Sequence, residues 1–237
     1  VSHGPTLVDH NVLLSDCALK LATQGVALVH NLIAGSFTAV GRGTLNGALT
    51  KLSPRYTPYH VPHRTEIAGF MTILHGDMRF YNNIFIQKDF RPGLKQMADA
   101  MKDDEWTDGN LIAGTIPYEA YPTQEEYEAQ FEGYCGMGSA PSDRYYNPLP
   151  VWAEGNAYFN GAKPMSREKA FVNATNKVSV CLEETGEGFV LKTNVFDYMP
   201  ESQNKVITTV VLGMAFEPVE KFENPDGSPI VFDKDYY

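Results

Sequence analysis

Over residues 1–87, apolar positions come in short stretches rich in β-branched and aromatic residues, broken every few positions by Gly, Pro or Asn. That texture predicts many short strands. Three phrases resemble one another: Asp9-His10-Asn11-Val12-Leu13-Leu14, Val29-His30-Asn31-Leu32-Ile33-Ala34 and Tyr81-Asn82-Asn83-Ile84-Phe85-Ile86. In each, an Asn is followed by a mixed apolar run. Asn11 and Asn31 are 20 residues apart; Asn31 and Asn83 are 52 apart, which reads as two such periods plus 12. A period near 20 is what a β-solenoid leaves in sequence, because equivalent residues of successive coils stack about 4.8 Å apart. Stacked Asn side chains can then bond the amides above and below them. An ordinary antiparallel sheet with chance Asn placement is the alternative.

From 90 to 148 the period changes. Leu94, Met97, Ala98 and Met101 fall at i, i+3, i+4 and i+7 behind Pro92, which predicts a short amphipathic helix. Thr123 and Glu126 match a capping box at a second helix start. Tyr127 and Phe131 then make an apolar i, i+4 pair, with Glu125, Glu128 and Glu132 towards water. The strand-plus-Asn phrase returns at 151–162, around Asn156, as a closing coil. Beyond Pro164, residues 177–182, 188–196 and 205–212 read as strands, with a hairpin loop at 184–188. A turn at 224–229 precedes a terminal strand at 230–232. The expected organisation is a mainly β chain. Parallel coils span 1–163 with a helical excursion at about 90–148, and a small β-sandwich or β-cap spans 164–237.

Composition narrows the function. The chain has 237 residues, 43% hydrophobic and 20% charged, enough for one or two packed domains, which argues against disorder and a disulfide-stapled mini-protein. Lys plus Arg number 19 against 29 Asp plus Glu, a net charge of −10, the wrong sign for tracking phosphates, so nucleic acid is not expected as a partner. The longest mainly apolar stretch, 26–40, is broken by His30 and Asn31 and falls short of the roughly 20 residues a membrane span needs. No signal peptide is visible at Val-Ser-His-Gly-Pro, and the sequence assigns no compartment. Cys17, Cys135 and Cys181 are far apart and in no metal-like spacing, which reads as core or surface thiols.

Chemistry is sparse. Of six histidines only His60 and His63 lie close together, in an extended, Pro-flanked segment rather than a helical zinc motif. With Arg64 and Glu66 they suggest a polar wall for a sugar or carboxylate, or a loop of structural histidines. His10 and His30 each precede a repeated Asn and are expected to be scaffold, and Asp77 to cap the turn after His75-Gly76. Nucleophile elbows and phosphate-binding glycine loops are absent. A retaining glycosidase needs two carboxyl groups roughly 5–5.5 Å apart, one coil on a solenoid. Asp9 plus 20 gives Val29 and Asp16 plus 20 gives Ser36; Glu66 and Asp89 are 23 apart without a common register. Spacing therefore yields no convincing pair. No metal or cofactor is expected.

The phrases Ser2-His3-Gly4-Pro5-Thr6-Leu7-Val8-Asp9-His10-Asn11, residues 57–69, Gly76-Asp77-Met78-Arg79-Phe80-Tyr81-Asn82-Asn83-Ile84-Phe85 and residues 222–229 resemble the C-terminal part of a bacterial family. That family is the right-handed parallel β-helix glycoside hydrolases of the β-xylosidase type, glycoside hydrolase family 120. The resemblance implies a retaining exo-glycosidase removing xylose from short xylo-oligosaccharides, on a chain with more coils and a β-sandwich upstream. In the family the acid/base Glu lies in a Phe-Val-Glu-Val-x-His-Gly-Pro phrase. Its tail matches Val1-Ser2-His3-Gly4-Pro5, so the Glu falls immediately before Val1 and the nucleophile Asp about one coil earlier. No catalytic residue can then be carried onto this sequence, and the chain alone is expected to be inactive. His3 is the first expected cleft contact, followed by His60, His63, Arg64 and Glu66.

Two other classes compete. A non-catalytic carbohydrate-binding β-helix would bind oligosaccharide without cleaving it. A polysaccharide lyase would need basic residues near the abstracted proton and usually a calcium site. Lys20, Arg42, Lys51, Arg55, Arg64 and Arg79 are available over 1–87, but no acid cluster accompanies them, which ranks the lyase third. An oligosaccharide is the expected partner, a membrane is not, and a homo-oligomer is allowed.

Overall fold

The computed structural model describes residues 5–21, 23–39, 44–45, 52–53, 55–60, 65–101, 111–135, 147–199 and 206–216. They form a mainly β structure of stacked layers. The first layer runs β1 (Thr6–Asp9), β2 (Val12–Leu13) and β3 (Cys17–Leu21); the second runs β4 (Gln24–Val29), β5 (Leu32–Ile33) and β6 (Ser36–Ala39). Two antiparallel pairs follow, β7 (Thr44–Leu45) with β8 (Leu52–Ser53), and β9 (Arg55–His60) with β10 (Ile67–Ile73). The third layer is β11 (Gly76–Tyr81) and β12 (Ile84–Ile86). Helices α1 (Pro92–Met101) and α2 (Gln124–Ala129) precede the fourth, β13 (Val151–Glu154) and β14 (Ala157–Phe159). After β15 (Val172–Asn173) come the hairpin β16 (Val180–Thr185) and β17 (Gly188–Thr193), then one helical turn, α3 (Thr209–Leu212).

Corresponding strands pair in parallel, in the orders β1-β4-β11-β13 and β15-β14-β12-β5-β2, with β3 beside β6. In the first sheet Thr6, Val26, Met78 and Val151 share one register position; Leu7, Ala27, Arg79 and Trp152 share the next. The pleat then sorts the columns. Val26, Leu28, Met78, Phe80, Val151 and Ala153 point into the main core, where they meet Ile33, Phe85 and Tyr158 of the second sheet. Phe85 and Tyr158 stack in adjacent layers, centroids 5.2 Å apart. Ala27 and Val29 face outward and are covered by Leu212, with Ile207 and Ala215 alongside. Hairpin residues Val180 and Leu191, with Val178 and Val195, cover the outer face of the second sheet.

Each layer bends between its two sheets at one residue in the left-handed region: His10 (φ 53°), His30 (56°), Asn82 (52°) and Gly155 (72°). The repeated phrases thus encode strand, bend, Asn, strand. Layers also approach closely where side chains would intrude. A Cβ on Gly35 would lie 2.0 Å from the carbonyl oxygen of Ser15, so only glycine fits there.

The structure revises two readings. Asn83 sits directly on Asn31, so the 52-residue spacing is one layer carrying the excursion β7–β10, not two periods plus 12. Residues 205–212, read as a strand, include α3 instead. Its β-branched run favours a strand, but the turn places Leu212 against Ala27 and Val29, and Arg79 takes the carbonyls of Leu212 and, just beyond the turn, Met214. The helix of 94–101 and the Thr123–Glu126 capping box occur as expected. The turn at 224–229 and strand at 230–232 lie outside the described residues. No disulfide joins the three cysteines, which are exposed. No described helix is long and apolar enough to cross a membrane.

Candidate functional site

The repeated Asn residues build a ladder through the bend. Asn31 Oδ1 accepts from the backbone N–H (3.0 Å) and Nδ2 (3.1 Å) of Asn11. Asn83 Oδ1 accepts likewise from Asn31 (3.1 and 3.0 Å), and Asn156 Oδ1 from Asn83 (2.8 and 2.9 Å). The ladder ends on Glu168, whose Oε1 accepts from Asn156 Nδ2 at 2.7 Å. Glu168 Oε2 takes the hydroxyls of Thr115 (2.9 Å) and Tyr158. Burial pushes the Glu168 carboxyl above the ordinary glutamate range, against those three donors. This acid was not singled out in the sequence; no spacing rule marks it, because it follows Asn156 by only 12 residues.

The other engaged acids are also structural. Asp77 is buried in β11, not the turn cap expected of it, and its Oδ1 holds Arg79 Nε (3.1 Å) and Nη2 (3.0 Å). Its Oδ2 accepts from Phe216 N–H at 2.8 Å. Arg79 in turn donates to the carbonyls of Leu212 and Met214 and stacks over Trp152, 5.0 Å from the ring centroid. Together they pin residues 206–216 across the outer face of the first sheet. Asp16 pairs with Lys88 Nζ (3.1 Å) and Arg91 Nε (2.9 Å), and the Lys88 bond leads in holding its carboxyl below the ordinary range. Each of these three acids is engaged by neighbouring side chains or backbone.

One polar groove of about 410 Å³ opens beside α2, within the size range of small-ligand sites. Its walls include Glu119, Glu126, Gln130, Asn147 and Arg167, over Tyr121 and flanking prolines. Thr123 caps α2 and the N3 carboxylate of Glu126 answers with Oε2 on Thr123 N–H at 2.7 Å, which fixes that wall. Ser166 donates to both oxygens of Glu119, its N–H at 2.7 Å, and these bonds hold the carboxyl below the ordinary range. Arg167 donates to the carbonyls of Glu119 (3.0 Å) and Tyr118 (3.2 Å). Two carboxylates against one guanidinium disfavour an anion. Acceptor oxygens above an apolar floor suit a neutral, hydroxyl-rich ligand.

Of the residues expected at a sugar wall, His3, His63 and Arg64 lie outside the described residues. His60 is described as backbone alone: it ends β9 opposite Ile67 of β10. Glu66, exposed, immediately precedes β10, so the hairpin brings His60 and Glu66 to the same end. His10 and His30 belong to the bend, as scaffold, with ring centroids 5.0 Å apart. No group of three or more metal-ligating side chains gathers among the described residues.

The chain is similar to a solved structure described as the complex of XylC with xylose, with a TM-score of 0.63 and 30% identity. The likeness covers 96% of this chain and 31% of that one, so this chain spans about a third of the length of the protein it matches. No family model matches the chain, and no curated protein does. The likeness and the paired sheets agree on a β-rich fold with parallel strands.

Proposed function

We propose that the chain is the C-terminal portion of a retaining exo-glycosidase acting on xylo-oligosaccharides, of the right-handed parallel β-helix, β-xylosidase type (glycoside hydrolase family 120). In this reading the catalytic Asp and Glu lie upstream of Val1, and residues 1–163 supply coils and cleft wall while 164–237 form the β-cap. The observation that carries it is the likeness to the xylose complex of XylC over nearly the whole chain but a third of that protein.

The two ends of the stack support the same reading. At the fourth layer, Val151 N–H is taken by Pro122 O (3.2 Å) and Gly155 N–H by Lys169 O (3.1 Å), while Tyr118, Tyr121 and Met165 seal the core. At the first layer, β1, β2 and β3 each pair on one side only among the described residues, and Val8, Leu13, Ala18 and Leu19 are only partly buried. Open strand edges over an apolar end are what repeat proteins cap or continue.

His3, His60, His63, Arg64 and Glu66 are the proposed sugar contacts of the cleft wall. The groove beside α2 is a second contact for a neutral pentose unit. The mechanism leaves this chain a supporting role: its described buried acids and bases hold layers together, and the proton transfers belong to the upstream pair. Pure chain is expected to show no hydrolysis of an aryl xyloside, and measurable turnover would overturn the assignment. Oligosaccharide binding that persists when upstream coils are present with their acids removed, in a protein that never cleaves, would favour the carbohydrate-binding alternative.

A further inference from the structure

The hairpin β16–β17 reaches beyond the sheet it covers. At its base Val180 and Leu191 pack on the outer face of the second sheet. Residues 181–190 are exposed throughout, and a Cβ on Gly186 or Gly188 would meet nothing within 4 Å. The register Leu182↔Leu191 and Glu184↔Phe189 puts Val180, Leu182, Leu191 and Phe189 on one face. That face is an apolar strip that leaves the core and runs into solvent, with Leu182 53% and Phe189 68% exposed. Among the described residues the hairpin pairs with no other strand, so both its edges are open. Natural sheets block such edges with charge. β16 carries Glu183 and Glu184, whereas β17 carries only Lys192, which Glu183 already neutralises at 2.6 Å.

We propose that the outer edge of β17 is a self-association edge, on which a second copy of this chain pairs antiparallel about a two-fold axis through Val190. The inference needs nothing from the glycosidase reading. The hairpin's own geometry selects the register. A two-residue loop closes on a bonded pair, here Thr185 and Gly188. Bonded and non-bonded pairs then alternate along the strands. Val190 and Lys192 therefore bond inward to β16, and the N–H and C=O groups of Phe189 and Leu191 point to the outer edge. With the axis at Val190, Phe189 of each copy faces Leu191 of the other. Those residues exchange both backbone bonds, and the two apolar strips join into one. Lys192 lies opposite Gly188, so no like charges meet. An axis at Leu191 would set Phe189 against Thr193, and an axis at Phe189 would set Leu191 against Glu187. Pairing through β16 instead would crowd Glu183 and Glu184 of both copies along one seam. One strand per copy makes a small interface, so the dimer is weak and concentration-dependent.

Sedimentation velocity of the full chain should show a monomer–dimer equilibrium that shifts with concentration. Reductant is included, so that the exposed Cys17, Cys135 and Cys181 form no disulfide link between copies. Phe189→Pro removes one outward N–H from each copy without touching a hairpin bond, and should weaken the dimer by about tenfold or more. Leu182→Pro makes the same change on the outer edge of β16 and should leave association unchanged. Circular dichroism identifies the variants that remain folded. Hydrogen exchange supplies a readout on the unaltered chain: the Phe189 and Leu191 amides should gain protection as concentration rises, while the Val190 amide is protected throughout. A chain that stays monomeric, leaving the edge to an unlike partner strand, overturns the inference. So does a dimer that survives Phe189→Pro or is lost equally in Leu182→Pro, or exchange at Phe189 and Leu191 that ignores concentration.

Discussion

Asn83, like Asn31 and Asn156, is buried and bonded on both sides of the ladder. Asn83→Ala strands the Asn31 amide and Leu28 O in a dry interior, and urea denaturation should show a loss of about 2–4 kcal/mol. Asn11→Ala, at the exposed end, should cost about 1 kcal/mol or less. Equal losses at the two positions would contradict the difference in burial between the inner and outer rungs. Glu168 gives a pH signature. Its folded carboxyl titrates above the unfolded value, so its stabilising effect is full below about pH 4.3 and is lost as pH rises through the folded value. Glu168→Gln keeps an acceptor for Asn156 and should flatten that part of the stability–pH curve; an unchanged slope would contradict the assignment. The ladder was legible because each Asn stands at the same place in a repeated phrase. Glu168 was not, because it replaces the repeat rather than continuing it.

At the scale of elements, the segment 206–216 is held to the first sheet by two devices. Arg79 supplies the main one, tied to Asp77 and to two carbonyls of the segment. Arg79→Met leaves Asp77 buried without its guanidinium and should destabilise the chain by about 3–5 kcal/mol, with early proteolysis near 206–216. The second is His30, whose Nε2 accepts Ile207 N–H at 3.3 Å and which therefore must be neutral. Burial first, then His10, lowers its proton affinity, opposed by Asp9. The histidine's contribution is thus present above the ordinary histidine range and lost as pH falls through the lower folded value. Exchange of the Ile207 amide should accelerate on acidification in that window; pH-independent protection would contradict this. Sequence patterning could not show that 209–212 forms a helical turn, since β-branched residues favour strands and the deciding partners lie more than 130 residues earlier. The capping box of α2 was legible because its partners are three residues apart.

For the whole molecule, the period of 20 between the first two phrases predicted the stacking, while the lengths of the later layers stayed hidden. Nothing in the 52-residue spacing distinguishes two short coils from one coil with an arm; the Asn83–Asn31 contact and the pairing of β11 with β4 decide it. The site is legible to a smaller degree still, since sugar walls carry no fixed spacing and His60 and Glu66 share an end only through the β9–β10 pairing. The central claim is that this stack continues upstream into the catalytic layers of a xylosidase. The most direct test is the intact mass and N-terminal residue of the native protein, read with the coding sequence before Val1. The account predicts an open frame with a Glu immediately before Val1 and an Asp about one layer earlier. A native product beginning at Val1, or a frame without those two acids, would contradict it.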